Sequence, residues 1–375
     1  MPTDRRVHAK MNPPNRPALV AVADARAMLL ATINPVGPTP RPIRESCGRL
    51  LAEDLRAPHA LPPQAVALRD GWAVTADDLV GASSYSPVLL AQPPAWIEAG
   101  RSLPTGSDAL LPRDAVSTLA GSCEITLPVG PGEGIRRAGD DAEAGTVLRA
   151  RGERLRPVDV AIAIEAGQEH CHVSDLTVRL IAPAGHATAG FMAQFIEGKG
   201  ASVERIAASS RDPAGLAPLL PGAAFAIMIG GNDLARQGGS AEALARAGQV
   251  LFHGLALRPG ENTGCGFVDG APVLLVSDRL DEALGAALML VAPVLDALIG
   301  TAPSWPLMSG RLTRKLPSTI GVTEIALLRK TPAGLEPLAI ADLTLAAIAR
   351  ADEWLAIPPE SEGFAAGESV EAFVL

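Results

Sequence analysis

The residues best suited to holding an anion fall in two short segments, Gly230-Gly231-Asn232-Asp233 and Arg258-Pro259-Gly260-Glu261. The first follows the apolar run Phe225 to Ile229, where a glycine pair lets a ligand approach backbone amides that can cradle phosphate. The second offers a guanidinium, a planar fork that pairs bidentately with phosphoryl or carboxylate groups. Plainer readings stand beside both: glycine pairs make ordinary tight turns, and an arginine at a strand end is often simply solvated.

Other candidates are weaker. His170 and His172 flank Cys171, and on a strand both imidazoles project from one face. Metals can use that spacing, but no further ligands cluster nearby in sequence, so a half-exposed strand face is the stronger reading. His186 is a candidate proton-transfer group. No Ser or Cys sits in a Gly-x-Ser-x-Gly elbow, which removes a nucleophilic triad, and Gly238-Gly239-Ser240 reads as a helix start with Ser240 as the N-cap. Cys47, Cys123, Cys171 and Cys265 are far apart without a CxxC pair, so neither structural zinc nor a disulfide framework is indicated. Reduced thiols in the cytoplasm are the expectation.

The anion-holding loops need a scaffold. From Thr177 onward, apolar runs (Val178 to Pro183, Val203 to Ala208, Phe225 to Ile229, Val250 to Leu257, Val273 to Ser277) alternate with helical segments, the last over Asp281 to Leu298. Continuous apolar strands separated by helices predict a doubly wound parallel sheet covered on both faces, with ligands beyond the carboxyl ends of its strands. Both anion-holding loops fall at such ends.

Residues 1–16 are polar and Pro-rich, which predicts a loose tail, and apolar spacing predicts helices over Val20 to Ile33, Ile43 to Leu55 and Pro157 to Gly167. Between Pro58 and about Arg156, short β-prone runs broken by Gly and Pro predict a β-rich inserted module; after Thr301, short strands return as a small terminal β-domain. The expected organisation is multidomain α/β: a discontinuous N-terminal domain from 17–57 and 155–176, an insertion over 58–154, the α/β domain over 177–301, and the β-domain over 302–375.

A net charge of −9 argues against general affinity for nucleic acid or anionic lipid, which requires clustered positive charge. The most apolar segment, Leu284 to Gly300, contains Pro293 and Asp296 and reads as a buried helix shorter than the roughly 20 residues of a membrane span.

The stretch SCGRLLAEDLRAPHALPPQAVALRDGWAV, Ser46 to Val74, resembles the opening signature of the molybdopterin molybdotransferase family, the group of MoeA and the gephyrin E domain. Arg69-Asp70-Gly71-Trp72-Ala73-Val74 is similar to its Ser-x-Met-Asp-Gly-Tyr-Ala element, Ile97 to Asp114 to its Thr-Gly-Ala and Pro-x-Gly-Ala-Asp-Ala stretch, and Gly134 to Pro157 to the block that follows. Gly230-Gly231 and Arg258-Pro259-Gly260 fall at the family's strand-end glycine pair and Lys-Pro-Gly turn, and the likeness runs on to the closing GESVEAFVL.

The resemblance implies a homodimer that takes adenylylated molybdopterin and molybdate, releases AMP and places the metal on the pterin dithiolene. It implies that Asp70 and Asp212 act as catalytic carboxylates holding Mg2+ on the phosphoanhydride, and that Gly230, Gly231, Asn232, Asp233, Arg258, Pro259 and Gly260 contact the ligand. A structural reading competes for each acid: Asp70 before Gly71 is a common turn pair, and Asp212 before Pro213 is a good N-cap.

Several family side chains are replaced. Ala99 stands where a threonine belongs, Pro183-Ala184-Gly185-His186 replaces Thr-Gly-Asp-Glu, Glu261 reverses a lysine, Val276-Ser277-Asp278-Arg279-Leu280 replaces Leu-Pro-Gly-Asn-Pro, and Asp342 falls at a hydroxyl position. Two readings follow: a divergent molybdotransferase, or a non-catalytic paralogue that carries molybdopterin or its finished cofactor, or acts as a scaffold or partner subunit for a molybdoenzyme.

Overall fold

A computed structural model describes residues 18–119, 122–230, 239–302 and 305–375. The expected tail and the candidates Gly231, Asn232, Asp233 and Gly238 lie outside the described residues. The chain forms two compact units, one from Pro38–Val173 and one from Met1–Gly37 with Ser174–Leu375.

In the larger unit, α1 (Val22–Leu30) precedes the alternation β1 (Thr177–Ala182), α2 (Ala187–Gly198), β2 (Ser202–Ala207), β3 (Phe225–Ile229), α3 (Gly239–Ala247) and β4 (Gln249–His253). Then come β5 (Gly264–Val268), β6 (Ala271–Val276) and α4 (Leu280–Ile299). The sheet order is β2-β1-β3-β6-β5-β4. Strands β2, β1, β3 and β6 are parallel, as the apolar runs predict, and all five residues of β3 are buried.

The other edge corrects the all-parallel expectation. Strand β5, which the apolar pattern does not single out because it reads Gly-Cys-Gly-Phe-Val, runs antiparallel to both β6 and β4. Asp269 and Gly270 both take positive φ, 51° and 81°, and make the tight hairpin turn between β5 and β6. The run expected as one strand to Leu257 stops at His253; Leu257–Arg258 is a separate two-residue strand that pairs with the terminal sheet.

Helix α4 spans 20 residues, so its length alone would suit a membrane, but its most apolar window is 94% buried within the protein. It is a core helix, with a π-helical turn at Ala287–Val291. The terminal β-domain is built on β8 (Thr323–Thr331), flanked by β9 (Gly334–Ile340) and β10 (Glu353–Ile357), with β11 (Ser369–Val374) and β7 (Leu307–Arg311) beyond β10. Its core includes Leu312, Leu328, Leu335, Ile357 and Val370.

The smaller unit has several cores among its described residues, one of them formed by Ala67, Ala73, Leu110 and Ile135. Its β-rich part pairs Gly71–Val74 antiparallel with Ala95–Ile97 and Ala109–Leu111, over a core that includes Val74, Leu79, Leu111 and Ile125. Another core gathers Ile43, Leu51 and Leu55 with Leu155, Val160, Ala163, Cys171 and Val173, whereas α1, expected in the same domain, belongs to the larger unit. The helix expected over Ile43 to Leu55 is instead a 3-10 turn at Ile43–Glu45 followed by bends. Gly48 takes φ +79° and Ser46 Oγ donates back to the Pro42 carbonyl, which ends helical winding; Leu51 then reaches the core by pairing with Val173.

Candidate ligand site at the sheet edge

The carboxyl ends of β1, β2 and β3 open onto a cavity of about 190 Å³ lined by Pro183, Ser209, Ser210, Arg211, Gly230 and Ser240, among others. Its apolar lining includes Ile181, Leu216, Met228 and Ile229, and its polar lining Ser209, Ser210, Arg211 and Ser240. An apolar body with a few convergent polar groups is the usual make-up of a small-molecule site.

Backbone geometry fixes two of the lining residues, Gly230 and Ser240. Gly230 ends β3 at φ +91°, a left-handed value that other residues adopt at a cost, and its N–H donates to the Val276 carbonyl at 2.9 Å, tying β3 to β6. Its carbonyl accepts the buried Ser240 hydroxyl from the first turn of α3. That corrects the N-cap expectation for Ser240, whose hydroxyl is spent on the strand end. Gly239 brings α3 onto the facing loop so closely that a β-carbon there would lie 2.4 Å from the Arg211 carbonyl oxygen.

Asp212 holds the N-cap position of the short helix Pro213–Leu216 through its carbonyl, which accepts the Gly215 and Leu216 amides at 3.0 and 3.1 Å; its carboxylate makes no capping bond. Its own amide donates to Ser210 Oγ at 2.9 Å, which fixes the loop that carries Ser209 and Arg211 to the cavity. Sequence reasoning missed Ser209, Ser210 and Ser240 as lining groups. Hydroxyls just beyond apolar strands were the available signal.

Arg258, Pro259 and Gly260 do not line this cavity. Arg258 pairs in register with Glu324 on β8, and its guanidinium lies 3.8 Å from Glu261. Gly285 of α4 packs so tightly on this turn that a β-carbon there would sit 2.0 Å from the Pro259 carbonyl oxygen. The altered loop at Asp278 is held by Thr188, whose hydroxyl donates to the Asp278 carbonyl at 2.7 Å. Arg279 is committed to Asp281 and Glu282, at 2.6 and 3.5 Å, which leaves its charge largely neutralised.

Asp70 belongs to the smaller unit, where its carboxylate accepts the Ala99 amide at 2.9 Å. His172 lies 3.2 Å from Glu53, and among the described residues no group of three or more His, Cys, Asp or Glu side chains could hold a metal. Burial raises the thiols of Cys123 and Cys171 and pushes Cys265 up to about 12, so these three are not thiolates at neutral pH.

The family described as the MoeA N-terminal region (domain I and II) matches residues 20–167. A provisionally named molybdopterin biosynthesis protein of Methanocaldococcus jannaschii is 24% identical over 371 residues, covering 89% of this chain and 91% of the relative. A molybdopterin molybdenumtransferase of Synechococcus elongatus is 28% identical over 59% of this chain and 65% of its own length. The fold continues the likeness through both units: a molybdopterin biosynthesis MoeA protein of Pyrococcus horikoshii superposes with a TM-score of 0.76 at 25% identity, over 95% of this chain and 99% of that one. With sequence relatives and a solved structure agreeing along nearly the whole chain, from α1 to the terminal β-domain, this chain is similar to MoeA proteins throughout, and its residues 20–167 match the family's N-terminal region.

Proposed function

We propose that this protein acts in molybdenum cofactor biosynthesis, binding a molybdopterin-type ligand at the β1–β3 strand ends and supporting the transfer of molybdate to it with release of AMP. The observation that carries the reading is the cavity closed by Gly230 and Ser240, which joins an apolar lining for a ring system to hydroxyls and Arg211 for phosphate. The names of its relatives, molybdopterin molybdenumtransferases among them, support the same substrate class.

In this reading the Gly230 backbone permits close approach of the ligand, Ser209 and Ser210 donate to phosphoryl oxygens, and Arg211 supplies positive charge. Arg258 would meet an anionic group at the turn after β4. Asp70 fixes the loop at Ala99, and Asp212 fixes the loop at Ser210. A divalent cation would screen the phosphoanhydride. Among the described residues no group of three or more His, Cys, Asp or Glu side chains gathers to hold one. The working form is proposed to be a homodimer, with a mass in solution twice the 38.6 kDa of one chain.

The test mixes purified protein with adenylylated molybdopterin, molybdate and magnesium, and follows ligand retention and AMP release on one sample. Retention with AMP release above the protein-free rate is expected. Retention without release would make the protein a carrier or scaffold, and the absence of both retention and release would overturn the proposal.

A further inference from the structure

A cavity of about 330 Å³ opens in the larger unit where the start of α1 meets the terminal β-domain. Its lining is mostly aliphatic, with Val22 of α1, Ala256, Met289 of α4, Ala356 of β10 and the pair Pro358-Pro359. Backbone bonds hold these segments together: the Ala256 amide donates to the Val20 carbonyl at 2.8 Å, the Thr323 amide to the Ala256 carbonyl at 3.0 Å, and the Gly321 amide to the Pro359 carbonyl at 2.7 Å. The cavity is therefore preformed, with a volume at the lower end of small-molecule pockets. None of its lining residues belongs to the cavity at Gly230.

The polar side chains in the lining are Arg26, Thr323 and Glu360. Arg26 is half-buried on α1, and Glu360 is exposed just beyond β10. Among the described residues neither side chain makes an ion pair or a hydrogen bond, with the other or with any third group. Elsewhere in this unit comparable charges are paired, as Arg179 is with Glu204 and Arg329 with Glu336. A guanidinium and a carboxylate that share one aliphatic cavity without neutralising each other match a ligand that carries both charges beside an apolar body. The guanidinium takes a carboxylate through its planar fork, the carboxylate takes an ammonium, and the apolar body removes the aliphatic lining from water.

We propose that this cavity binds a free amino acid with an apolar side chain, its carboxylate on Arg26, its ammonium on Glu360 and its side chain against Val22, Met289 and Ala356. The inference does not rest on the pterin reading, which concerns the cavity at Gly230.

Calorimetric titration of the full chain with leucine, methionine and phenylalanine tests it, followed by the N-acetyl derivative of whichever binds, which has no ammonium, and its amide, which has no carboxylate. The expected result is binding of at least one of the three amino acids at one site per chain, weakened by about tenfold or more in either derivative. Arg26→Gln and Glu360→Gln should each weaken the amino acid by a similar factor. Arg26→Gln should leave the amide unaffected and Glu360→Gln the N-acetyl derivative, because the contact each variant removes is already missing; a merely structural role for either side chain would move both. Ala23→Leu provides a variant that keeps the fold: Ala23 is exposed on α1 and lines the cavity, leucine is a strong helix former, and the added side chain should abolish binding. No binding by any of the three amino acids, a derivative that binds as tightly as its parent, unchanged affinity in the three variants, or affinity lost only in Arg211→Gln, which would put the amino acid in the other cavity, would each overturn the proposal. So would a chain that ignores every probe while Ala23→Leu halves its mass in solution, which would put a second copy of the chain on this cavity.

Discussion

Asp70 Oδ1 accepts the Ala99 amide proton at 2.9 Å, so the turn before strand Gly71–Val74 is tied to the turn after strand Ala95–Ile97. The acid that the family signature preserves therefore touches the position where the family's threonine is missing. In Asp70→Ala the loop loses its anchor. The cost to unfolding free energy is about 1 kcal/mol, because the bond is exposed to solvent. AMP release should vanish while pterin retention persists, and Asp70→Asn, which keeps an acceptor oxygen but no charge, separates loop anchoring from charge in the same assay.

Gly230→Val places a β-branched residue at φ +91°, which costs about 1–2 kcal/mol in the left-handed region and crowds the strand end. Pterin affinity in equilibrium dialysis should fall by about tenfold or more.

Arg258→Ala removes only an exposed pair with Glu261, so its melting temperature should stay within about 1–2 °C of the parent chain. A drop in pterin affinity without a drop in stability would place Arg258 on the ligand; unchanged affinity would remove it from the site.

Gly285→Ala should destabilise by about 1–3 kcal/mol, because its β-carbon would meet the Pro259 carbonyl oxygen at 2.0 Å and the turn must move. Since that turn carries Arg258, the variant couples stability to ligand affinity. Urea unfolding and dialysis on one preparation measure both.

Asp159 gives a pH signature in the smaller unit. It is buried, and hydrogen bonds from Arg156, reinforced by that residue's backbone amide and by Arg149, hold its carboxyl below the ordinary Asp range against the effect of burial. A depressed folded value means that its stabilisation is present above the unfolded pKa and is lost as pH falls through the folded one. Asp159→Ala should cost about 1–2 kcal/mol at neutral pH, and the difference from the parent chain should shrink on acidification. A gap that widens in acid would contradict the sign.

The apolar runs of β1, β2, β3 and β6 were legible in the sequence because a parallel strand buried on both faces has little choice of residue type, as the five buried positions of Phe225–Ile229 illustrate. The glycine at the end of β3 was legible for a related reason: a chain leaving an apolar strand at left-handed φ needs Gly230. The short strands Val88–Leu90 and Ala109–Leu111 were also readable, because they depend on local spacing, and the likeness to MoeA proteins came from short motifs such as the one around Asp70.

Contacts between distant segments were decided by the tertiary structure. Strand β5 is too rich in glycine to advertise itself, and its direction is set by a two-residue turn and by the open edge of β6. Ser240, ten residues from Gly230, closes the cavity through a bond that exists only when α3 docks on the sheet, and Arg258 is drawn to the terminal sheet by pairing with β8. Such placements follow from which surfaces meet after collapse. A one-dimensional pattern specifies the faces that must be buried and leaves the choice of neighbour to packing.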